Sequence, residues 1–384
     1  EPMAARVDPG HVSKRHQSMH HFVASSPWDD RALLAVVRDY ALDALERHAP
    51  VAAWVVDDTG IPKKGRHSVG VKRQYCGVLG KTENCQVFVS VSLANRTMSV
   101  PCAWRLYLPE NWARDRRRCA EVGVPATVRF QTKWNIALEE IAYLVEEELE
   151  PAPVVADAGY GDTTAFRQGI TQLELPYVMG VKLETTVWPP GTAPLPPQKR
   201  RRGPGRPPTR VRRTPRHQPV AIKDLALDLP YQAWKRVRWR EGTRGTMQSH
   251  FARVRVRPAH RDHLRHAPWP EEWLLLEWPE HEAEPTKGWL STVAESATLK
   301  EMVDVAKIRW RIERDYEEMK DELGLDHYEG RGWRGVHHHG VVCMAAYGFL
   351  IAERARLSPP QALAFLCPAP LPEGFLPRGA PAEA

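Results

Sequence analysis

Apolar residues recur along the 384-residue chain with two periods, and the points where the period changes predict the elements. Residues 51–56 form a continuous apolar run that predicts a strand, which ends on Asp57, Asp58, Thr59 and Gly60. Two more strand-like runs follow at 74–79 and 86–94; in the second, Val87, Val89 and Val91 alternate and so share a face. After an extended stretch at 98–108, a helical period at 133–149 predicts an amphipathic helix, and the short apolar run 153–156 leads straight into Asp157. A helix near 163–173 and a strand near 177–182 continue what this order of strands and helices predicts to be a mixed α/β sheet. Further strands at 233–239, 250–257, 273–278 and 288–292 predict a β-rich insertion. A long helix at 299–323 and a buried one at 341–352 close the pattern, with His337, His338 and His339 read as the start of the latter. Upstream, residues 1–21 are polar and read as irregular. Ser26, Pro27 and Asp29 predict a helix starting after Ser26 and carrying Leu33, Val36, Val37, Tyr40 and Ala44.

Composition narrows the class. The longest apolar stretch, 340–351, is shorter than the ~20 residues that span a bilayer, so no membrane partner is expected. Six cysteines with no CxxC pair and no disulfide-like framework, and no signal-like opening segment, predict a reducing, cytosolic setting. The chain opens on Glu1 rather than Met, which leaves open that sequence precedes it. Residues 189–219 are rich in proline and arginine and predict a mobile loop, and the proline-rich tail from Pro368 predicts disorder.

Charge adds a partner. The net charge of +7 is concentrated: nine basic residues and no acidic one lie between Lys199 and Arg216, which leaves −2 for the rest. Arg200, Arg201, Arg202, Arg206, Arg210, Arg212 and Arg213 in this run would attract a polyanion and are expected to bind DNA, although such a run also serves as a solubilising loop. Residues 202–207 resemble an AT-hook, whose Gly-Arg-Pro core lies in a narrow minor groove. Lys63, Lys64, Lys72 and Arg73 follow the first strand of the sheet and are expected to touch the DNA backbone.

The candidate chemistry rests on carboxylates. Asp57 and Asp157 end two predicted strands, and on the late helix Glu313 shares a face with Arg309, Glu317 and Lys320. A neighbouring stripe of Val305, Ile308, Ile312, Tyr316, Met319 and Leu323 would seat that helix on the sheet. Two-metal phosphoryl transfer needs such a set, because hard divalent cations take oxygen ligands and sit ~3.5–4 Å apart. Each residue alone has a plainer reading: an Asp at a strand end is usually a turn residue or cap, and charges at i,i+4 usually form a solvated helix face.

The late helix reads Ala306-x-x-Arg309-x-x-x-Glu313-x-x-x-x-x-x-Lys320, which resembles the Y-R-E-K signature of bacterial insertion-sequence transposases, with alanine in place of tyrosine. The text around it, 309–313 and 322–331, resembles a block of the DDE superfamily endonucleases. Residues 57–65 (DDTGIPKKG) and 156–161 (ADAGYG) resemble that superfamily's two earlier motifs, so the likeness runs from about residue 51 to 352. The resemblance implies an RNase H-like α/β fold, a mixed sheet with flanking helices interrupted by a β-rich insertion. It implies Asp57, Asp157 and Glu313 as catalytic metal ligands for two Mg²⁺, with Mn²⁺ able to substitute, supported by Asp58, Arg309 and Lys320. Asp57 fits the motif spacing as first ligand; Asp58 is its neighbour and would face the other way in a regular strand. The implied organisation is an N-terminal helical, DNA-binding region (1–50), a core in two parts (51–185 and 295–355), the insertion (186–294) and the tail (356–384). The implied activity is cut-and-paste strand cleavage and transfer on double-stranded DNA, at terminal inverted repeats and a target, by a homodimer. The rival expectations are a catalytically inactive DNA-binding remnant and a nuclease without end specificity. Trp234, Trp239, Trp273, Trp278 and Trp289 of the insertion read as core, and the resemblance implies that one stacks on an unpaired base.

Overall fold

The computed structural model describes residues 2–198, 208–242 and 245–357. Three helices come first: α1 (Pro2–Val7), α2 (Val12–Ala24) and α3 (Asp30–Glu46). Strands β1 (Ala53–Pro62), β2 (Lys72–Cys76), β3 (Lys81–Ala94) and β4 (Ser99–Leu106) lead to helices α4 (Glu110–Arg114), α5 (Arg116–Glu121) and α6 (Lys133–Glu146). Then come β5 (Val154–Ala156), α7 (Ala158–Gly161), α8 (Thr164–Gln172) and β6 (Tyr177–Val181). The stretch after β6 supplies β7 (Thr186–Trp188), β8 (Val220–Ala221), α9 (Ile222–Asp228), β9 (Lys235–Gly242), β10 (Gly245–Pro258), β11 (Glu272–Trp278) and β12 (Lys287–Ser291). Helices α10 (Leu299–Lys307), α11 (Trp310–Asp321) and α12 (Trp333–Leu357) end the described chain.

Among the described residues all twelve strands belong to one sheet, in the order β2-β3-β1-β5-β6-β12-β11-β10-β7-β8, with β4 on β3 and β9 on β10. Antiparallel β1–β3 and parallel β1–β5 and β5–β6 pairing make the core mixed, and with helices on both faces this is the RNase H-like arrangement. Strands β7 to β12 do not stand apart: β12 pairs antiparallel with β6, so they prolong the core sheet.

Alternation across the strands sorts the core into two layers. Val55, Val155 and Val178 cluster with Val303 of α10, Ile312, Tyr316 and Met319 of α11 and Val341 of α12. Trp54, Val56, Val154 and Ala156 point the other way and cluster with Ile136 and Ile141 of α6 and Phe166 of α8. Each fully buried Val, Ile or Phe stabilises the fold by about 1.5–3 kcal/mol.

Several expectations are corrected. Residues 2–24 are helical rather than irregular, without an apolar stripe to announce it; α2 has no buried residue. The third helix is capped by Asp29, whose carboxylate accepts from Arg31 N and Ala32 N, so it starts three residues later than the Ser26 reading had it. The single long helix expected at 299–323 is two: i→i−3 bonds from Ile308 N to Val305 O and from Arg311 N to Ile308 O tighten the chain around Arg309, with no Gly or Pro to mark the break. The histidine triplet lies inside α12 rather than at its start. Both ring nitrogens of His338 face carbonyls, Val23 O at 3.0 Å and Trp28 O at 3.1 Å, which ties the N-terminal helices to the core. Within the expected mobile loop, residues 208–219 are held: Arg212 pairs with Leu195 through the main chain, and Arg213 grips Asp262 at 2.6 Å. Arg200, Arg201, Arg202, Arg206 and the AT-hook-like text lie outside the described residues, as does the tail from Pro368.

Candidate active site

Register brings the first two carboxylates together. β1 and β5 run parallel with Trp54 beside Val154 and Val55 beside Val155, so the positions two residues further on are Asp57 and Asp157. Both share the parity of Val55 and Val155 and therefore project on the α10–α12 side. Asp57 does not end its strand as expected, because β3 is long enough to pair with β1 as far as Pro62. Asp157 does follow the last residue of β5 and caps α7, its Oδ1 accepting from Gly159 N at 2.9 Å and Tyr160 N at 3.3 Å. Asp57 likewise has Oδ1 held by a main-chain amide, Asp58 N at 2.8 Å. In each aspartate one oxygen is fixed by the backbone and the other points onward.

The close approach at α7 needs glycine. A Cβ on Gly161 would collide with Gly180 O, and one on Gly180 would stand 3.1 Å from Ala158 N. The two glycines let the Asp157 turn lie directly on β6.

Helix α11 carries the third carboxylate and is pinned by polar contacts as well as its apolar stripe. Tyr316 meets Ser90 hydroxyl to hydroxyl at 2.6 Å, and Asp315 accepts from Ser99 at 2.6 Å and from Tyr347 at 3.0 Å. Lys320 donates to Thr59 Oγ1 at 2.7 Å and Gly60 O at 3.2 Å. Lys320 is thus a buried pin under β1 rather than a lysine on the Glu313 face, since its long stem reaches inward between α11 and the strand. Glu313 remains half-exposed and is joined to Asp57 through Arg309, which donates to Asp57 Oδ2 at 2.6 Å and Glu313 Oε1 at 2.5 Å.

The electrostatics follow from burial and crowding. Burial pushes the Asp57 carboxyl up from 3.8 to about 7; the Arg309 guanidinium opposes this, and the charges of Asp157 and Asp58 add to it. Among the described residues no three His, Cys, Asp or Glu side chains stand close enough to hold one ion together, and the Arg309 guanidinium lies between Asp57 and Glu313. Asp57 and Glu313 both bond Arg309, with the Asp157 charge close by, and carboxylate oxygens are the donors a hard divalent cation takes.

Asp157, Arg309 and Glu313 line a cavity of about 640 Å³, within the range of ligand sites. Trp239, Trp289 and Trp310 form its aromatic wall, and Lys182, Lys287, Lys307 and Arg240 add positive charge. Arg240 stacks on the Trp310 ring at 4.0 Å, and Lys307 sits 4.5 Å from the Trp239 ring centroid while paired with Glu277 at 2.5 Å. Ala306, which stands where the family signature has tyrosine, also lines this space. Of the other insertion tryptophans, Trp234 packs edge-on against Trp278, and Trp273 lies under Arg253 and Arg255. Sequence reasoning missed Trp310 and Lys307 here, although both sit within four residues of Arg309.

Asp58 points to the opposite face, where Lys133 reaches Oδ1 at 2.9 Å and the Tyr160 hydroxyl lies 3.3 Å from Oδ2. Lys64, Lys72 and Arg73 are exposed, whereas the Lys63 ammonium turns to the Tyr328 carbonyl. Lys63 and Lys64 belong to a wider basic cluster whose arginines, Arg66, Arg114, Arg116, Arg117, Arg118 and Arg129 among them, the sequence reading passed over. Arg118 stacks on Trp112 at 3.5 Å and donates to Arg66 O, and Trp333 N bonds Val122 O, so residues 63–70, 110–131 and 326–334 form one surface. That surface carries ten Lys and Arg side chains against five carboxylates. Arg213, partly buried, grips the fully buried Asp262, which also accepts from the Trp188 indole, and this places Arg213 in the fold rather than on an open DNA-facing surface.

Comparison with known proteins accords with this geometry. A protein named "Probable transposase for insertion sequence element IS701" from Microchaete diplosiphon is 31% identical over 167 residues, 43% of this chain and 40% of that relative. The chain's match therefore spans well under half the length of that relative. The family description "DDE superfamily endonuclease" matches residues 1–246, which include β1, β5 and both aspartates of the site. With Asp57 on β1 and Asp157 just past the end of its parallel neighbour β5 on an RNase H-like sheet, the chain belongs to the DDE superfamily of endonucleases.

Proposed function

We propose that this protein is a transposase that cleaves and rejoins DNA strands at the ends of an insertion sequence by a cut-and-paste route. The observation that carries the reading is that Asp157 and Glu313 line one cationic, aromatic-walled cavity, with Asp57 joined to it through Arg309. These three carboxylates would hold two divalent ions, Mg²⁺ with Mn²⁺ able to replace it. When bound, such ions activate an attacking water or 3′-hydroxyl and stabilise the leaving oxygen.

The chain's own residues divide the remaining work. Arg309 neutralises Asp57 and Glu313 before loading and, once displaced, is placed to hold a phosphate. Lys182, Lys287 and Arg240 at the cavity would draw in the strand, and Trp239, Trp289 and Trp310 would take an unstacked base and exclude water. Lys64, Lys72, Arg73 and the surface holding Arg114, Arg116 and Arg117 are proposed to carry duplex backbone; Arg210 and the arginines at 200–206 would add to this. Terminal inverted repeats and a target duplex are the proposed substrates, engaged by a homodimer because two ends must be cut in concert.

The test is cleavage of a labelled duplex bearing the element's ends, in Mg²⁺ or Mn²⁺, by the parent, Asp157→Asn and Glu313→Gln. Cleavage by the parent alone, with all three binding the duplex equally, is the expected result. Arg309 between Asp57 and Glu313, together with Ala306, favours a second reading, an inactive DNA-binding relative. Equal binding and no cleavage by any of the three would establish that reading instead.

A further inference from the structure

The backbone ladder that aligns the two aspartates stops short of them. β1 and β5 pair at Trp54–Val154 and Val55–Val155, and β5 ends at Ala156. Beyond that point the Asp157 turn is joined to β6 through β5 and α7, while Asp57 continues on β1 beside β3. The distance between the two carboxylates then depends on side chains.

One residue spans the gap. The Tyr160 amide donates to Asp157 Oδ1 and so helps aim that carboxylate, while its phenol reaches across to Asp58 Oδ2. Asp58 in turn donates its amide to Asp57 Oδ1. Lys133, the first residue of α6, holds the other oxygen of Asp58 at 2.9 Å, so both oxygens of that carboxylate are engaged. Tyr160 is buried, with its ring against Phe166 at 5.6 Å, which leaves the phenol little freedom.

We propose that Tyr160, Asp58 and Lys133 form a brace on the far face of β1 that sets the spacing of Asp57 and Asp157. This inference rests on the two-carboxylate metal site proposed above. None of the three touches the reacting atoms; they are positioning residues, acting through the orientation of the two aspartates. Interactions of this kind behind metal-ligating carboxylates change metal affinity or activity by about 10–100-fold when removed. The Asp57–Asp58 doublet then has a division of labour: the first carboxylate meets Arg309 at the edge of the cavity, and the second locks the strand to the turn bearing Asp157.

The decisive variant is Tyr160→Phe, which deletes one hydroxyl and keeps the ring packing. Mn²⁺ binding to the full chain, followed by the electron paramagnetic resonance of free Mn²⁺, is expected to weaken by roughly tenfold. The thermal midpoint without metal and the duplex affinity in EDTA should match the parent. Excess Mn²⁺ should restore single-turnover cleavage in Tyr160→Phe but not in Asp57→Asn, because the first loosens a ligand and the second removes it. Asp58→Asn and Lys133→Met should show the same pattern in weaker form. Unchanged Mn²⁺ binding in Tyr160→Phe, alongside clear loss in Asp57→Asn, overturns the brace and leaves the metal site standing. Unchanged binding in Asp57→Asn as well overturns both. A lower thermal midpoint with unaltered Mn²⁺ affinity would make Tyr160 a packing residue and also overturn the brace.

Discussion

Asp57 keeps its proton to an unusually high pH, near 7, because burial disfavours the carboxylate more than Arg309 favours it. In the unfolded chain the same group titrates near 3.8, so folding takes up a proton between those values. The stabilisation is complete below the unfolded value and is lost as pH rises through about 7. In EDTA the parent's thermal midpoint should therefore fall between pH 5 and pH 8 relative to Asp57→Asn, whose amide does not titrate; parallel curves would refute the shift. Arg213 offers a second test at this scale. Its partner Asp262 is fully buried, and removing one member of such a pair costs about 3–5 kcal/mol. Arg213→Ala should lower the unfolding free energy from a denaturant melt by that order while leaving duplex affinity almost unchanged. A drop in affinity at full stability would instead return Arg213 to the DNA-binding arm.

Among the elements, a very short helix carries a tight backbone constraint. α7 has four residues, and a methyl group on Gly161 would run into Gly180 O. Gly161→Ala should displace the Asp157 turn and cost at least about 1–3 kcal/mol, the usual penalty of overpacking. Mn²⁺ affinity should fall with it, and an unperturbed midpoint would show that the turn has slack. The late helix illustrates how far periodicity reaches. Its apolar stripe was legible and seats α10 and α11 on the sheet, with Ile312 and Met319 fully buried. The break at Arg309 was not legible, since no residue there opposes a helix. The bend aims the guanidinium at Asp57, a target 252 residues away in the chain.

For the whole molecule, the continuous sheet matters most. Because β12 pairs with β6, residues of β9, β10 and β12 stand beside the Asp157 turn and close the cavity. The basic surface of residues 63–70, 110–131 and 326–334 joins three segments that a reading along the chain keeps apart. Replacing the exposed Arg114 and Arg117 by alanine should weaken duplex binding and flatten its salt dependence. The slope of log affinity against log salt should drop by about 0.9 for each phosphate that the variant no longer neutralises. An unchanged slope in a filter-binding series from low to moderate salt would remove this surface from the proposed DNA path.

By itself, the sequence determined the alternation of strands and helices, the apolar faces that become the two core layers, and the carboxylates set at motif spacing. Those are local properties: side-chain period, turn chemistry and charge are written in neighbouring residues. Long-range packing sets Asp57 and Asp157 side by side, turns Asp58 away to Tyr160 and Lys133, and makes Lys320 a buried pin. It also locks Arg213 to Asp262 and stands Arg309 between two carboxylates. Each of these depends on strand register and on which helix face meets the sheet, energies shared between residues tens to hundreds of positions apart, which no local pattern records.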